Sequence, residues 1–499
     1  TFNTPQDRAR DLITTVLQSS ATKRDARQYL QRFGRDDEEN VQLSTALEVE
    51  HHAKVPAFFS PQEIKAFANE LNPGFRSAIF KVRNFDQHHP TTLQQLAATV
   101  LKLNTLGLRS ILVVDADTSS VNRFISNSTS RHRFRLLDGI FDETDHLDLP
   151  PVSPAPVSFD LASLIPLDVA LPKRLIHPLA RDAIPVITNA VYSSARNVYV
   201  RSDLNSVVLA LAKMLTKYHI PVDKTIFVEP LGGVPSSERN LGAHFFINLL
   251  QEYDEIISEL TSLAGSKLSQ EDVNIHIENV KAMFAVLSVL PTTSTGIITT
   301  PEIAIGNSTR NPVVYNLLTD RPIASPSLPL DNSRTPTLNT TILRRGMPLK
   351  IIRADYNSGF SLRNCNEINL DLLIKMLEDS FGKKLDVESY LSRVDNNVAA
   401  VILAIDSDNT YAGGAIITYE EANSSGKIVP YLDKIGVAKS AQGSTGVADI
   451  VFKAMVLRLF PDEVIWRSRK TNPVNKWYFE RCKGSYKIPN SNWCAFWAG

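Results

Sequence analysis

Apolar residues recur every three to four positions over residues 7–17 and 25–33, which predicts two amphipathic helices separated by the turn-prone Ser19-Ser20. From residue 78 the pattern changes. An apolar run at 78–82 precedes a helix-spaced segment at 92–103, and a second buried-type run follows at 110–115. A short strand at 184–187, a helix at 203–215, a strand at 225–228 and a long helix at 243–260 continue the alternation. Such alternation predicts an α/β three-layer αβα sandwich with a largely parallel sheet, because parallel neighbours need a crossover between them.

Proline and serine interrupt the pattern twice. Residues 150–156 read as a surface loop, and 321–336 as the linker between domains 1–335 and 336–499. Beyond the linker, strands at 398–405, 413–419 and 429–437 follow closely enough for an antiparallel meander. A helix at 446–459, a strand at 464–468, another helix and an aromatic strand at 493–497 complete a second unit.

Composition narrows the function classes. The chain has 499 residues, 43% hydrophobic and 21% charged, as expected of a globular protein of two or three domains. Its 53 basic residues balance 53 acidic ones, which argues against a general nucleic-acid binder. No apolar run approaches the roughly 18 residues of a membrane span. Three cysteines, Cys365, Cys482 and Cys494, form neither a disulfide framework nor a metal spacing and suit a reducing compartment. All histidines lie at or before His276, so the C-terminal unit has no histidine for nucleophile activation or for zinc, and no metal is expected. His51-His52 and His88-His89 read as solvated loop residues.

Candidate chemistry gathers near the C-terminus. On a strand, Arg467 and Arg469 point the same way and suit two carboxylates, each gripped by a guanidinium fork. The same pair also suits a solvated edge strand. Upstream, Gly443, Ser444, Thr445 and Gly446 form a turn into a helix beginning Val447-Ala448, where backbone N–H groups would favour a phosphate. A plain strand–helix connection reads equally well there. Tyr478 is a weak acid one helix turn from the arginine strand, or else a packed aromatic between Trp477 and Phe479. An amine attacking a thioester needs alignment, donors for the oxyanion and a proton for the thiolate, and no histidine.

Several uncommon strings carry a family resemblance. Tyr431-Leu432-Asp433-Lys434, Trp466-Arg467-Ser468-Arg469, Thr471-Asn472-Pro473, Trp477-Tyr478-Phe479 and Ser380-Phe381-Gly382-Lys383-Lys384-Leu385 resemble the acetyltransferase domain of N-acetylglutamate synthases. Segments 232–240 and 311–321 resemble the fungal branch, so the likeness spans nearly the whole chain. It implies an amino-acid-kinase-like domain followed by a GNAT-type acetyltransferase domain, in the mitochondrial matrix. It also implies acetyl transfer from acetyl-CoA to L-glutamate, the first step of arginine biosynthesis, with L-arginine as inhibitor and a tetramer as assembly. By match, Lys383, Arg467 and Arg469 would bind glutamate, and main chain at Ile435 and Val437 would hold the acetyl carbonyl. Residues Gly443, Ser444, Thr445, Gly446, Val447, Ala448 and Asn472 would contact acetyl-CoA, and Tyr478 would serve the thiolate. One departure concerns the pattern Gln/Arg-x-x-Gly-x-Gly/Ala. With Gly446 and Ala448 on its end, Gly443 and not Gln442 takes its first position.

The kinase-like domain lacks the paired glycines that follow the first strand in a working amino-acid kinase. Its stretch is Phe80-Lys81-Val82-Arg83-Asn84-Phe85, which argues against phosphoryl transfer. Segment 341–346 is a candidate neighbour of an arginine site. The rival to an acetyltransferase is a catalytically weak, arginine-sensing partner of an N-acetylglutamate kinase.

Overall fold

The computed structural model describes residues 76–499 apart from 106, 129–130, 138–140, 144–163, 167–174, 177, 180, 182, 194–197, 240–241, 307–310, 329–337, 407, 422–425 and 443–445. The helices expected at 7–17 and 25–33, the loop at 150–156, His51-His52 and the second half of the linker, 329–336, therefore lie outside the described residues. The chain forms two compact units. The first takes the chain up to Ser236, with Ile257–Asp320 and Leu338–Arg345; the second takes Ser237–Ile256, Arg321–Thr337 and Gly346–Gly499.

In the first unit the strands Thr295–Thr299, Val222–Val228, Arg76–Val82, Leu108–Val114, Ile184–Thr188 and Phe134–Leu137 are successive parallel neighbours. Thr341–Arg344 runs antiparallel beside Thr295–Thr299. The strands are almost wholly buried, as expected when helices cover a parallel sheet. Helices Pro90–Thr105, Leu204–Lys217 and Gln270–Val289 pack against it. Their starts follow local chemistry. The Asp203 carboxylate accepts the Ser206 N–H at 2.9 Å, and the Ser269 hydroxyl accepts the Asp272 N–H at 3.0 Å.

One expected helix is corrected. The helix of 243–260 begins only at Leu249 and runs to Leu263, because Phe246–Asn248 is extended. The Asn248 N–H donates to the Glu252 carboxylate at 2.8 Å, which fixes the new start.

The second unit is built on seven strands in the order Leu349–Arg353, Val398–Ile405, Tyr411–Glu421, Ile428–Val437, Val464–Arg469, Trp493–Ala498, Gly484–Lys487. Every pairing is antiparallel except that between Ile428–Val437 and Val464–Arg469. Val398–Ile405 is apolar throughout because both faces of the sheet are covered. On one face, Leu370–Phe381 and Val387–Val394 bury Leu373, Met376, Leu377, Tyr390 and Leu391. The other face carries Val447–Lys453, its π-helical extension Ala454–Leu459, and Asn475–Arg481. A Cβ at Gly413 would lie 2.6 Å from Val447 Cγ1, so this glycine lets the 447 helix lie close on the sheet.

Candidate active site

The site begins where the sheet divides. Ile428–Val437 and Val464–Arg469 share a single paired position, Tyr431 opposite Ile465, and part thereafter. A register shift along the neighbouring strand leaves Asp433 as an extra residue, so Leu432 and Lys434 face opposite sides of the sheet. In the ladder with Tyr411–Glu421, the N–H and C=O of Ile435 and Val437 point away from the partner strand, toward the parting. Val437 uses both groups internally. Its N–H donates to Ser380 Oγ at 3.0 Å, and its carbonyl accepts from Gln442 Nε2 at 2.8 Å. Gln442, which the family pattern leaves without a part, thus ties down the end of this strand.

Alternation puts Arg467 and Arg469 on one face with Ile465, and both are exposed. Trp493, the cross-strand partner of Arg469, lies under both guanidinium groups, at 4.9 Å from Arg467 and 5.9 Å from Arg469. Arg467 also meets Tyr431. Burial raises that phenol, and the Arg467 guanidinium, hydrogen-bonded to it, works against the rise. On the same side Asp433 accepts from Tyr390 at 3.0 Å and pairs with Arg393 at 2.8 Å. Burial, reinforced by Asp433, raises the Tyr390 phenol. Lys434 sits 4.8 Å from the centre of the Tyr390 ring. Lys383 is exposed in the turn after Gly382, three residues beyond the Ser380 that holds Val437.

Tyr478 belongs to the opposite, apolar face. It is 8% exposed and packs against Trp466, Trp477 and Phe496. Burial pushes its phenol up to about 12, with a smaller push from Tyr431. It is therefore protonated at neutral pH, and it stands near enough to Tyr431 to sense it across the parting. Asn472 is half-buried and shapes the turn between strand and helix. Its amide donates to Ser468 Oγ at 2.7 Å and its oxygen accepts the Val474 N–H at 3.0 Å. Gly446 precedes the 447 helix with φ 68, a left-handed conformation that glycine adopts without strain. Val447 is buried and Ala448 half-buried in the first turn; Gly443, Ser444 and Thr445 lie outside the described residues.

A profile of the family described as the N-acetyltransferase of N-acetylglutamate synthase matches residues 360–499. The mitochondrial amino-acid acetyltransferase of Yarrowia lipolytica is 38% identical, over 98% of this chain and 89% of that protein. Those of Debaryomyces hansenii and Neurospora crassa are 34% and 33% identical, over 100% and 99% of this chain and 90% and 82% of theirs. The chain belongs to the mitochondrial amino-acid acetyltransferases. Among solved structures, N-acetylglutamate synthase from Neisseria gonorrhoeae, complexed with coenzyme A and L-arginine, is similar at 13% identity. That match covers 89% of this chain and 99% of the other, with a TM-score of 0.38.

In the first unit, Lys81 lies in the stretch whose sequence lacks a glycine-rich phosphate loop, and its partners are all internal. This lysine is fully buried, 2.5 Å from Glu229, with Asn205 and Asn279 oxygens at 2.7 and 2.8 Å. Arg83 shares the same carboxylate at 2.7 Å. With two cations on one anion, burial lowers Lys81 to about 8 while the cations hold Glu229 below the usual carboxylate range. Lys81 has no free valence for a phosphate. Segment 341–346 supplies the strand Thr341–Arg344, and Arg344 Nη2 donates to the Asp320 carbonyl at 2.7 Å. His88 and His89 bond to the Arg83 carbonyl and the Thr91 hydroxyl, at 2.9 and 2.8 Å. Among the described residues, no three His, Cys, Asp or Glu side chains gather as a metal centre would require.

Sequence reading assigned no part to Ser380, Gln442, Asp433 or Trp493. Trp493 had a signal, since its place two residues from Ala495 on the strand beside Arg467 and Arg469 follows from antiparallel pairing.

Proposed function

We propose that this acetyltransferase moves the acetyl group of acetyl-CoA to the α-amino group of L-glutamate, and that L-arginine inhibits it. The observation that supports the reading is the parted sheet, with two arginines stacked on Trp493 on one face and the Tyr478 phenol on the other. An acidic amino acid would place its carboxylates on Arg467 and Arg469, with Lys383 as a third cation. Its neutral amine would then attack the thioester carbon at the parting, giving a tetrahedral adduct whose C–S bond breaks as the thiolate leaves, while the proton the nitrogen sheds passes to solvent. The N–H of Ile435 faces that space and would stabilise the oxyanion. The thioester moiety needs a passage between the strands and a helix start beside it, and the left-handed Gly446 turn into the 447 helix fits that need.

Tyr478 would hydrogen-bond the departing thiolate. A phenol near 12 is a weaker acid than a thiol, so its contribution is a held donor whose proton follows the charge only as the C–S bond opens. Asn472 would act on acetyl-CoA chiefly by shaping the turn that carries this helix.

The same reading assigns residues 1–335 a regulatory part and 336–499 the transfer, in a tetramer that joins an N-acetylglutamate kinase, a complex that co-purification tests. Family membership favours an active enzyme over the arginine-sensing rival. The test is CoA release from acetyl-CoA with and without glutamate, then with arginine added. Glutamate-dependent release suppressed by arginine is expected. Release that ignores glutamate, or none at all, would overturn the reading.

A further inference from the structure

The helix that carries Tyr478 is poorly equipped to hold itself in place. Asn475–Arg481 has seven residues and no side-chain cap at its N-terminus. A helix that short is marginal by itself, so its position must come from outside contacts. Its aromatic side chains pack on Phe452, Trp466 and Phe496, and the Asn475 amide donates to the Arg469 and Lys470 carbonyls. At its other end the polar contacts gather on Arg481, whose side chain is only 5% exposed.

Arg481 Nε donates to Ser327 Oγ at 2.8 Å, and Nη2 donates to Asp449 Oδ1 at 3.0 Å. Nη1 donates to the Trp477 carbonyl at 3.0 Å, and the guanidinium lies 4.2 Å from the centre of the Trp477 ring. Asp449 belongs to the first turn of the 447 helix. Its Oδ1 also accepts from Ser325 and Ser327, at 2.8 and 3.0 Å. A single carboxylate oxygen therefore joins three segments: the helix beginning at the Gly446 turn, the helix bearing Tyr478, and the proline-rich stretch at its start. All three belong to the same compact unit. A buried ion pair adds little to stability compared with apolar packing, and its directional hydrogen bonds serve geometry better. The cation also stands at the C-terminal end of the Tyr478 helix, where the helix dipole favours it.

We infer that Arg481, Asp449, Ser325 and Ser327 form a latch that positions the Tyr478 phenol, setting the acetyl-transfer rate from a stretch of chain outside the acetyltransferase sheet. The inference rests on the reading of Tyr478 as the donor to the thiolate. None of the four touches the reacting atoms; they are positioning residues.

A double-mutant cycle tests it. Arg481→Gln is expected to lower kcat about ten-fold, since displacing a catalytic group by ~1 Å costs up to about 100-fold, with KM for glutamate within two-fold. In the Tyr478→Phe background the same change is expected to cost almost nothing, because the group it positions is gone. If Arg481→Gln costs the same factor in both backgrounds, or leaves kcat per folded molecule unchanged, the latch is overturned while the role of Tyr478 stands. If Tyr478→Phe alone leaves kcat unchanged, the reading of Tyr478 falls, and the latch with it. Should Arg481→Gln not fold, the Ser325→Ala/Ser327→Ala pair, which keeps the ion pair, takes its place in the cycle. Its kcat is expected to fall about three-fold with the same non-additivity.

Discussion

Lys81 and the Arg467–Arg469 pair are all cations on strands, yet the two regions use them in opposite ways. Lys81 is sealed against Glu229 and Arg83 with its donors spent on asparagines, so its charge serves the interior of the first unit. Arg467 and Arg469 are exposed, and the face of Trp493 orients both guanidinium groups, with Tyr431 taking one hydrogen bond from Arg467 and, among the described residues, no carboxylate neutralising either. A cation held by a carboxylate is part of the architecture; one held by an aromatic face remains available to an anion.

Breaking the buried cluster should produce the largest effect. Glu229→Ala leaves two cations without their anion, and a stability loss of about 3–5 kcal/mol is expected on urea unfolding. A loss below about 1 kcal/mol would mean that water reaches the pair and that Lys81 is not committed to the interior. Next in size, Tyr478→Phe should lower kcat by about 100-fold with little change in KM for glutamate. A rise in KM alone would make the phenol a binding group. On the exposed side, Arg467→Ala should raise KM for glutamate by about 10- to 30-fold with thermal stability unchanged. If stability falls and KM does not, this arginine resembles Lys81 after all.

A further test of the buried side works through pH. Lys81 titrates near 8 in the folded chain and near 10.5 when unfolded, so between those values the unfolded state binds more protons. Stability from this group is lowest below pH 8 and rises toward 10.5. The wild type should therefore gain on Lys81→Met across that window, whereas a flat difference would show that Lys81 keeps its proton.

Much of this was legible in the sequence. The switch between helical spacing and apolar runs located four strands of the parallel sheet, Arg76–Val82, Leu108–Val114, Ile184–Thr188 and Val222–Val228, but not Phe134–Leu137 or Thr295–Thr299, and alternation alone put Arg467 and Arg469 on one face. The strands of the meander, the 447 helix and the aromatic strand Trp493–Ala498 were likewise readable from period and composition. The helices Leu370–Phe381 and Val387–Val394 were not anticipated, although Asn369 and Asp386 cap them in a sequence-visible way. The bulge at Asp433 left no trace, because one inserted residue changes facing without changing composition. Nor could the latch be read, since Ser325 and Asp449 are 124 positions apart and only folding brings them together. Burial of Lys81 was equally hidden, as its neighbourhood comes from three other elements.

The single pairing of Tyr431 with Ile465 has a mechanical consequence. Four strands lie on one side of it and three on the other, so the second unit's sheet behaves as two plates sharing one seam. Backbone amides near that seam should exchange with solvent at rates set by how far the plates swing, while amides deep in either plate wait for global unfolding. A molecule threaded through the opening would then act as a bolt, stiffening both plates by its presence.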